Sequence, residues 1–285
     1  MAATTLTAPV ADPAPERGRL VKRHRIATRI WHWVSALAVF VLLMSGLMIF
    51  NAHPALYWGK YGANADTPWL MINSDANGGF VRLAGYRIPT DGVLGRWADG
   101  DGNMHTNAFP GWATIPSYYS LSGGRRWHFA FAWVLSLSLI AFLLTSLFNR
   151  HIKRDLAPTL EELKPAHIGQ DIADHARLRF PKGEAALRYN ILQKLSYVGV
   201  IFVLLPVMIL TGLAMSPAMN AAWPWLTEIF AGRASARSIH FIAAALLALF
   251  ILVHLIMVVL AGPFNEIRSM ITGRFRIVPQ PGDKA

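Results

Sequence analysis

The stretch Ile239 to Ala261, "IHFIAAALLALFILVHLIMVVLA", is apolar except for two imidazoles, His240 and His254, fourteen positions apart. It contains no Asp, Glu, Lys or Arg, and it exceeds the roughly 20 residues a helix needs to cross a bilayer. Ionisable groups inside a membrane are costly and point to function. Fourteen residues of helix rise about 21 Å, and fourteen steps of 100° fall about 40° short of four turns. The two rings therefore leave nearly the same face, one near each membrane surface. Ligands of one metal ion must converge closely, so His240 and His254 serve two separate sites, and each needs a partner from another segment.

Three more uncharged stretches, Ile30 to Phe50, Trp127 to Phe148 and Leu195 to Ser216, match the first in length and character. In hydrocarbon a helix satisfies its own backbone polar groups. The expected fold is therefore an all-α membrane protein, a four-transmembrane-helix bundle with spans near 30–50, 127–148, 195–216 and 239–261. Of the 27 Lys and Arg residues, 19 lie before the first span, in the 149–194 connection or after residue 261. The 51–126 and 217–237 connections hold the other eight. Positive charge collects on the cytoplasmic side, which places both termini in the cytoplasm of a bacterium, the protein in its inner membrane, and the 51–126 loop in the periplasm. The net charge of +11 then follows from topology and gives no reason to expect nucleic acid. The first stretch reads as a retained span, because the A-x-A-like site Ala63-Asn64-Ala65 lies well beyond its end.

Cysteine is absent, which excludes structural disulfides, cysteine-held iron–sulfur clusters and c-type haem attachment. Residues 1–21, rich in Ala, Thr and Pro, read as a disordered tail. Residues 22–272 form the membrane domain, and 273–285 a cytoplasmic tail. The long outer loop alternates turn formers with strand-like pieces such as "FVRLAGYRI" (residues 80–88) and carries Tyr57, Trp58, Trp69, Trp97, Trp112, Tyr118 and Tyr119. This pattern suggests an ordered cap that can dock another protein. Within it "DGDGN" (Asp99, Asp101, Asn103) starts like a calcium loop, but Met104 and Pro110 stand where glycine and glutamate are required, so it reads as a plain turn.

Candidate partners for the two histidines sit at span ends. His128, in "RRWHFAFAW" at the outer start of the second span, matches His240 in depth; His32, in "RIWHWVSAL" at the inner start of the first, approximates His254. The inner match is looser, since His254 lies several residues deeper by these boundaries. Two bis-histidine pairs stacked across a four-helix bundle describe a diheme b-type cytochrome, whose fully ligated irons pass electrons without binding oxygen. Arg29, Arg125, Arg126 and Arg237 flank the four histidines and are candidates for the haem propionates, with lipid headgroups the competing role. Gly46 in "MSGLM" (44–48) and Gly212 in "LTGLAM" (210–215) form a faint internal echo. They suit either close helix packing or room for a flat cofactor. His24, His53 and His151 read as interfacial, His53 also as a candidate near a propionate or a quinone; His105, His167 and His175 fall in polar loops.

With these residues in place, the chain resembles the membrane cytochrome b superfamily that includes bacterial b561-type cytochromes, the b-type subunit of nickel–iron hydrogenases and the gamma subunit of formate dehydrogenase. "RIWHWVSALAVFVLLMSGLMIF" resembles the family's first span, and the spaced histidine pair its last. "LPVMILTGLAMSP", "HPALYWG" and "FPGWATIPSYYSLSGGRRWHF" are most similar to the thiosulfate-reductase-type cytochrome b branch. The likeness covers roughly residues 22–270, and the long outer loop departs from shorter-looped relatives. The resemblance implies two haems b, a quinone or quinol as membrane substrate, and a periplasmic catalytic redox subunit, commonly a molybdopterin oxidoreductase. Competing readings are a self-contained enzyme that oxidises superoxide or another small reductant and passes the electron to quinone, and a haem-free anchor or transporter. Paired Gly/Pro breaks at midplane mark transporters, and Pro206 alone hints at one.

Overall fold

A computed structural model describes residues 18–62, 66–150, 152–179, 183, 187 and 189–277. Most of the expected N-terminal tail, the Ala63–Ala65 site, His151 and the chain from 278 onward lie outside the described residues. Within them the chain runs β1 (Arg19–Lys22), α1 (Ile26–Asn51), β2 (Ala55–Leu56), β3 (Leu70–Asp75), β4 (Gly78–Leu83), β5 (Tyr86–Pro89), β6 (Trp97–Ala98), β7 (Met104–His105), α2 (Leu121–Phe148) and α3 (Pro165–Ala176). It continues through α4 (Ile191–Gly199), a π-helical turn (Val200–Leu204), α5 (Leu205–Met215), α6 (Pro217–Ala222), α7 (Pro224–Ile229), α8 (Arg233–Ala261), α9 (Pro263–Thr272) and β8 (Arg274–Ile277).

Four helices are long and apolar enough to cross a membrane: α1, α2, the joined Ile191–Met215 and α8. Each starts four to six residues before the apolar stretch that marks it. Hydropathy delimits the lipid-immersed part of a helix, whereas its hydrogen bonding continues until a cap ends it. Ser120 caps α2 by accepting from the Gly123 N–H at 3.1 Å, Asn190 and Gln193 form a capping box on α4, and Gly232 and Gly262, both at positive φ, bracket α8. In the third span the π-turn falls just before Pro206, whose missing N–H leaves the preceding turn without its regular bond. The 25-residue span nonetheless continues through it.

The spans run alternately up and down; α1 packs along α2 and α5 along α8. Ala38, Ser45, Thr211, Ala214, Ala236 and Ser238 are fully buried, small residues of the kind that let helices in lipid approach closely. Gly124 is one such contact: a Cβ there would stand 2.7 Å from Met48 Cγ on α1. Between the two histidine levels lie Ala38, Val39, Leu135, Leu139, Ile201, Leu205 and Leu247, while Phe142 of the same cluster stacks on Trp31, next to His32. Leu37, Phe40, Leu137, Ile140, Leu249 and Leu252 are exposed, as expected where the neighbour is hydrocarbon.

The long connection is ordered, as its turn and strand pattern suggests. The strands pair in the order β2-β3-β4-β5. "FVRLAGYRI" is a β4–β5 hairpin, turned at Ala84 and Gly85, both at positive φ. This cap is tied to the spans. Asn51 exchanges two hydrogen bonds with the Phe109 backbone (2.8 and 3.1 Å). Ser235 Oγ accepts from the Gly59 N–H at 2.7 Å, Ser238 Oγ donates to Tyr57 O, and Trp69 Nε1 donates to Ser238 Oγ at 2.9 Å.

At the opposite end β1 pairs antiparallel with β8, Arg19 opposite Ile277. Arg19–Val21 thus belong to a strand rather than a disordered tail, and residues 274–277 of the expected C-terminal tail are their partner. A pairing across some 250 residues leaves no local signal. Arg23 reinforces it through an ion pair with Glu266 at 2.8 Å. His167 and His175 lie on α3 rather than in a loop; Asn190 Nδ2 donates to His175 Nε2 at 3.2 Å.

Candidate functional site

His32, His128, His240 and His254 come together as two facing pairs. His128 lies seven positions past the start of α2 and His240 seven past the start of α8. Both helices start at the capped end, so equal depth follows, and the ring centroids stand 6.2 Å apart at an interplanar angle of 57°. His32 lies six positions past the start of α1 and His254 seven before the end of α8, with centroids 6.3 Å apart and an angle of 60°. The depth mismatch expected from the hydropathy boundaries disappears because α1 begins at Ile26. Two imidazoles bound to one metal at about 2 Å each place their ring centres roughly 6 Å apart. The donor set and both gaps fit bis-histidine haem.

The four arginines differ. Arg125 and Arg237 each stand three positions before the capped-end histidine of their helix, one turn nearer the surface. Arg237 is partly buried over the Phe50 ring, 5.7 Å from its centroid, and donates to the His53 carbonyl. Arg125 and Arg126 are both exposed, but Arg126 is two positions from His128, about 160° away around the helix, so it points away from the pair. Arg29 donates to the Met270 and Ile271 carbonyls, tying the start of α1 to the end of α9. His53 stacks on Tyr57; burial, then Arg237, push its pKa below the ordinary histidine value.

Gly46 and Gly212 face the histidines. A Cβ at Gly46 would meet His128 Cε1 at 3.4 Å, and one at Gly212 would meet His240 Cε1 at 3.6 Å. The residues before them carry a contact that composition does not reveal: Ser45 Oγ lies 3.1 Å from His128 Nδ1 and Thr211 Oγ1 2.9 Å from His240 Nδ1. The echo between "MSGLM" and "LTGLAM" was the available signal, a hydroxyl and a glycine in succession, each meeting a histidine on the next span. Ser235 and Ser238, which hold the cap, gave no comparable signal.

In the cap, Asp99 accepts from the backbone N–H groups of Asp101 and Asn103 and pairs with His105 Nε2 at 2.8 Å. His105 stacks on Trp97. The "DGDGN" carboxylate at Asp99 is thus engaged in shaping a turn. The bond to His105, then those from the turn, lower the Asp99 pKa to about 2.

A profile for prokaryotic cytochrome b561 matches residues 23–273. The chain belongs to the prokaryotic cytochrome b561 family. It is a membrane electron-transfer protein of bacterial type, and membership implies haem b. Over 232 residues, 81% of this chain and 87% of the relative, it is 25% identical to an Azospira oryzae protein with the provisional name protein-methionine-sulfoxide reductase subunit YedZ1. No solved structure matches the chain.

Proposed function

We infer that this chain holds two haems b and carries electrons across the bacterial inner membrane between the quinone pool and a catalytic redox subunit in the periplasm. His128 and His240 would hold the outer haem, and His32 and His254 the inner one. The observation that carries this reading is the pair of ring gaps, 6.2 and 6.3 Å, at two depths of one bundle. Haem b held by these imidazoles would supply one-electron transfer. Around it the chain's own residues exclude water with an apolar layer, aim the rings, and set Arg125 and Arg237 where propionates would emerge. Gly46 and Gly212 keep the space beside the outer rings clear.

The relative's name supports one direction of flow. A reductase subunit consumes electrons, so here they run from quinol toward the partner. If the partner is likewise a methionine-sulfoxide reductase, each sulfoxide takes two electrons and two protons and yields methionine and water. The ordered cap beside the outer pair is the surface for that partner, a molybdopterin oxidoreductase in the branch this chain resembles. Two haems b per chain by pyridine haemochrome, both reduced when a quinol analogue is added to membranes, is the expected result. One haem or none overturns the ligand assignment, and haems that ignore quinol overturn the electron source.

A further inference from the structure

The two histidine pairs are held differently on their second ring nitrogens. At the capped end, Ser45 Oγ donates to the Val41 carbonyl at 2.6 Å, and Thr211 Oγ1 donates to the Val207 carbonyl at 2.6 Å. Each hydroxyl has one proton, and the carbonyl one turn back takes it. Toward the histidine it can then only accept. His128 Nδ1, 3.1 Å from Ser45 Oγ, and His240 Nδ1, 2.9 Å from Thr211 Oγ1, must therefore carry the ring protons, with the Leu42 and Met208 carbonyls as further acceptors for the two rings, which leaves both Nε2 lone pairs bare. The two contacts come from different hairpins, α1 onto α2 and α5 onto α8. At the other level His32 Nδ1 is buried and finds no hydrogen-bond partner among the described residues.

We propose that Ser45 and Thr211 are positioning residues that fix the ligating tautomer of His128 and His240 and hold the outer haem at a lower potential than the same ligands would give without them. An acceptor on the far nitrogen orients a ligating histidine and raises its basicity. More basic ligands favour the ferric over the ferrous state. Fully buried Ser45 and Thr211 have no water to compete for these bonds, so the hydroxyls act in a dry site.

This proposal rests on the outer-haem reading, and the two fail separately. His240→Ala first identifies the outer component in a redox titration of the purified holoprotein; a variant that keeps both haems overturns the haem reading itself. Thr211→Val keeps shape and removes the hydroxyl, and Ser45→Ala removes the other. Each raises the outer midpoint potential, shifting the ferric/ferrous equilibrium about threefold to tenfold, the upper figure being about 59 mV for one electron. The inner potential stays unchanged. Thr211→Ser restores the hydroxyl and returns the parent value, which separates hydrogen bonding from packing. An unmoved outer potential in both Thr211→Val and Ser45→Ala overturns the proposal, as does a Thr211→Ser shift equal to that of Thr211→Val.

Discussion

His32 and His254 occupy the same level from opposite chain directions, one six positions into α1 and the other seven from the end of α8, their rings 6.3 Å apart. On the proposed two-haem reading, alanine in place of His254 takes one of two ligands from the inner haem and leaves the outer pair, a full apolar layer away, untouched. Haem b falls from two to one per chain, read by pyridine haemochrome, with the outer component still present in the redox titration. Full retention of both would contradict the pairing.

Steric room beside His240 is graded. Gly212→Ala adds a methyl at 3.6 Å from His240 Cε1, an ordinary contact, and keeps the outer haem. Gly212→Leu drives a branched chain into the imidazole in a close-packed bundle. The expected outcome is loss of the outer haem with the inner one retained, checked by haem content and the reduced spectrum.

Gly232 joins the cap to the start of α8. Its φ is +114°, and a Cβ there would lie 2.4 Å from Lys60 Cα and 2.7 Å from the Gly59 carbonyl. Neither is a flexible side chain that can swing away. Gly232→Ala costs about 1–3 kcal/mol in backbone conformation and adds the clash. Gly59→Ala, also at positive φ but with open space around it, carries the conformational cost alone. Thermal unfolding in detergent should rank Gly232→Ala below Gly59→Ala, and Gly59→Ala below the parent.

Acid acts on the cap at a lower pH than ordinary carboxylates would suggest. Asp99, bonded first by His105, and Asp75, bonded first by Arg87, both fall from an ordinary 3.8 to about 2. A carboxyl whose pKa is depressed by folding stabilises the fold above its unfolded value and stops doing so as pH falls through the folded one. These contacts are therefore complete above about pH 4 and disappear toward pH 2. Trp97, stacked on His105, reports this by fluorescence. In Asp99→Asn its emission loses that transition, and one centred near 4 in the parent would refute the assignment.

The spans and histidine partners were legible because a charge-free run of twenty residues has few meanings and imidazole in such a run has fewer. Helix ends were not, since Ile26–Arg29 and Leu121–Arg126 continue the hydrogen bonding through turns that hydropathy reads as polar. The glycines at 46 and 212 could be noticed, yet their neighbours Ser45 and Thr211 looked like ordinary small residues. Only the fold brings each hydroxyl onto a ring 83 or 29 positions away. Among the arginines, sequence proximity treated Arg125 and Arg126 alike, while helix rotation separates them.

Strand β1 lying against β8 makes the stretch from Arg19 to Ile277 a near-closed loop: these two residues are neighbours. A short linker between them, with a new start opened in the exposed Ala84–Gly85 hairpin turn, would leave every helix pairing in place. Circular permutation that joins Arg19 to Ile277 should therefore preserve the bundle.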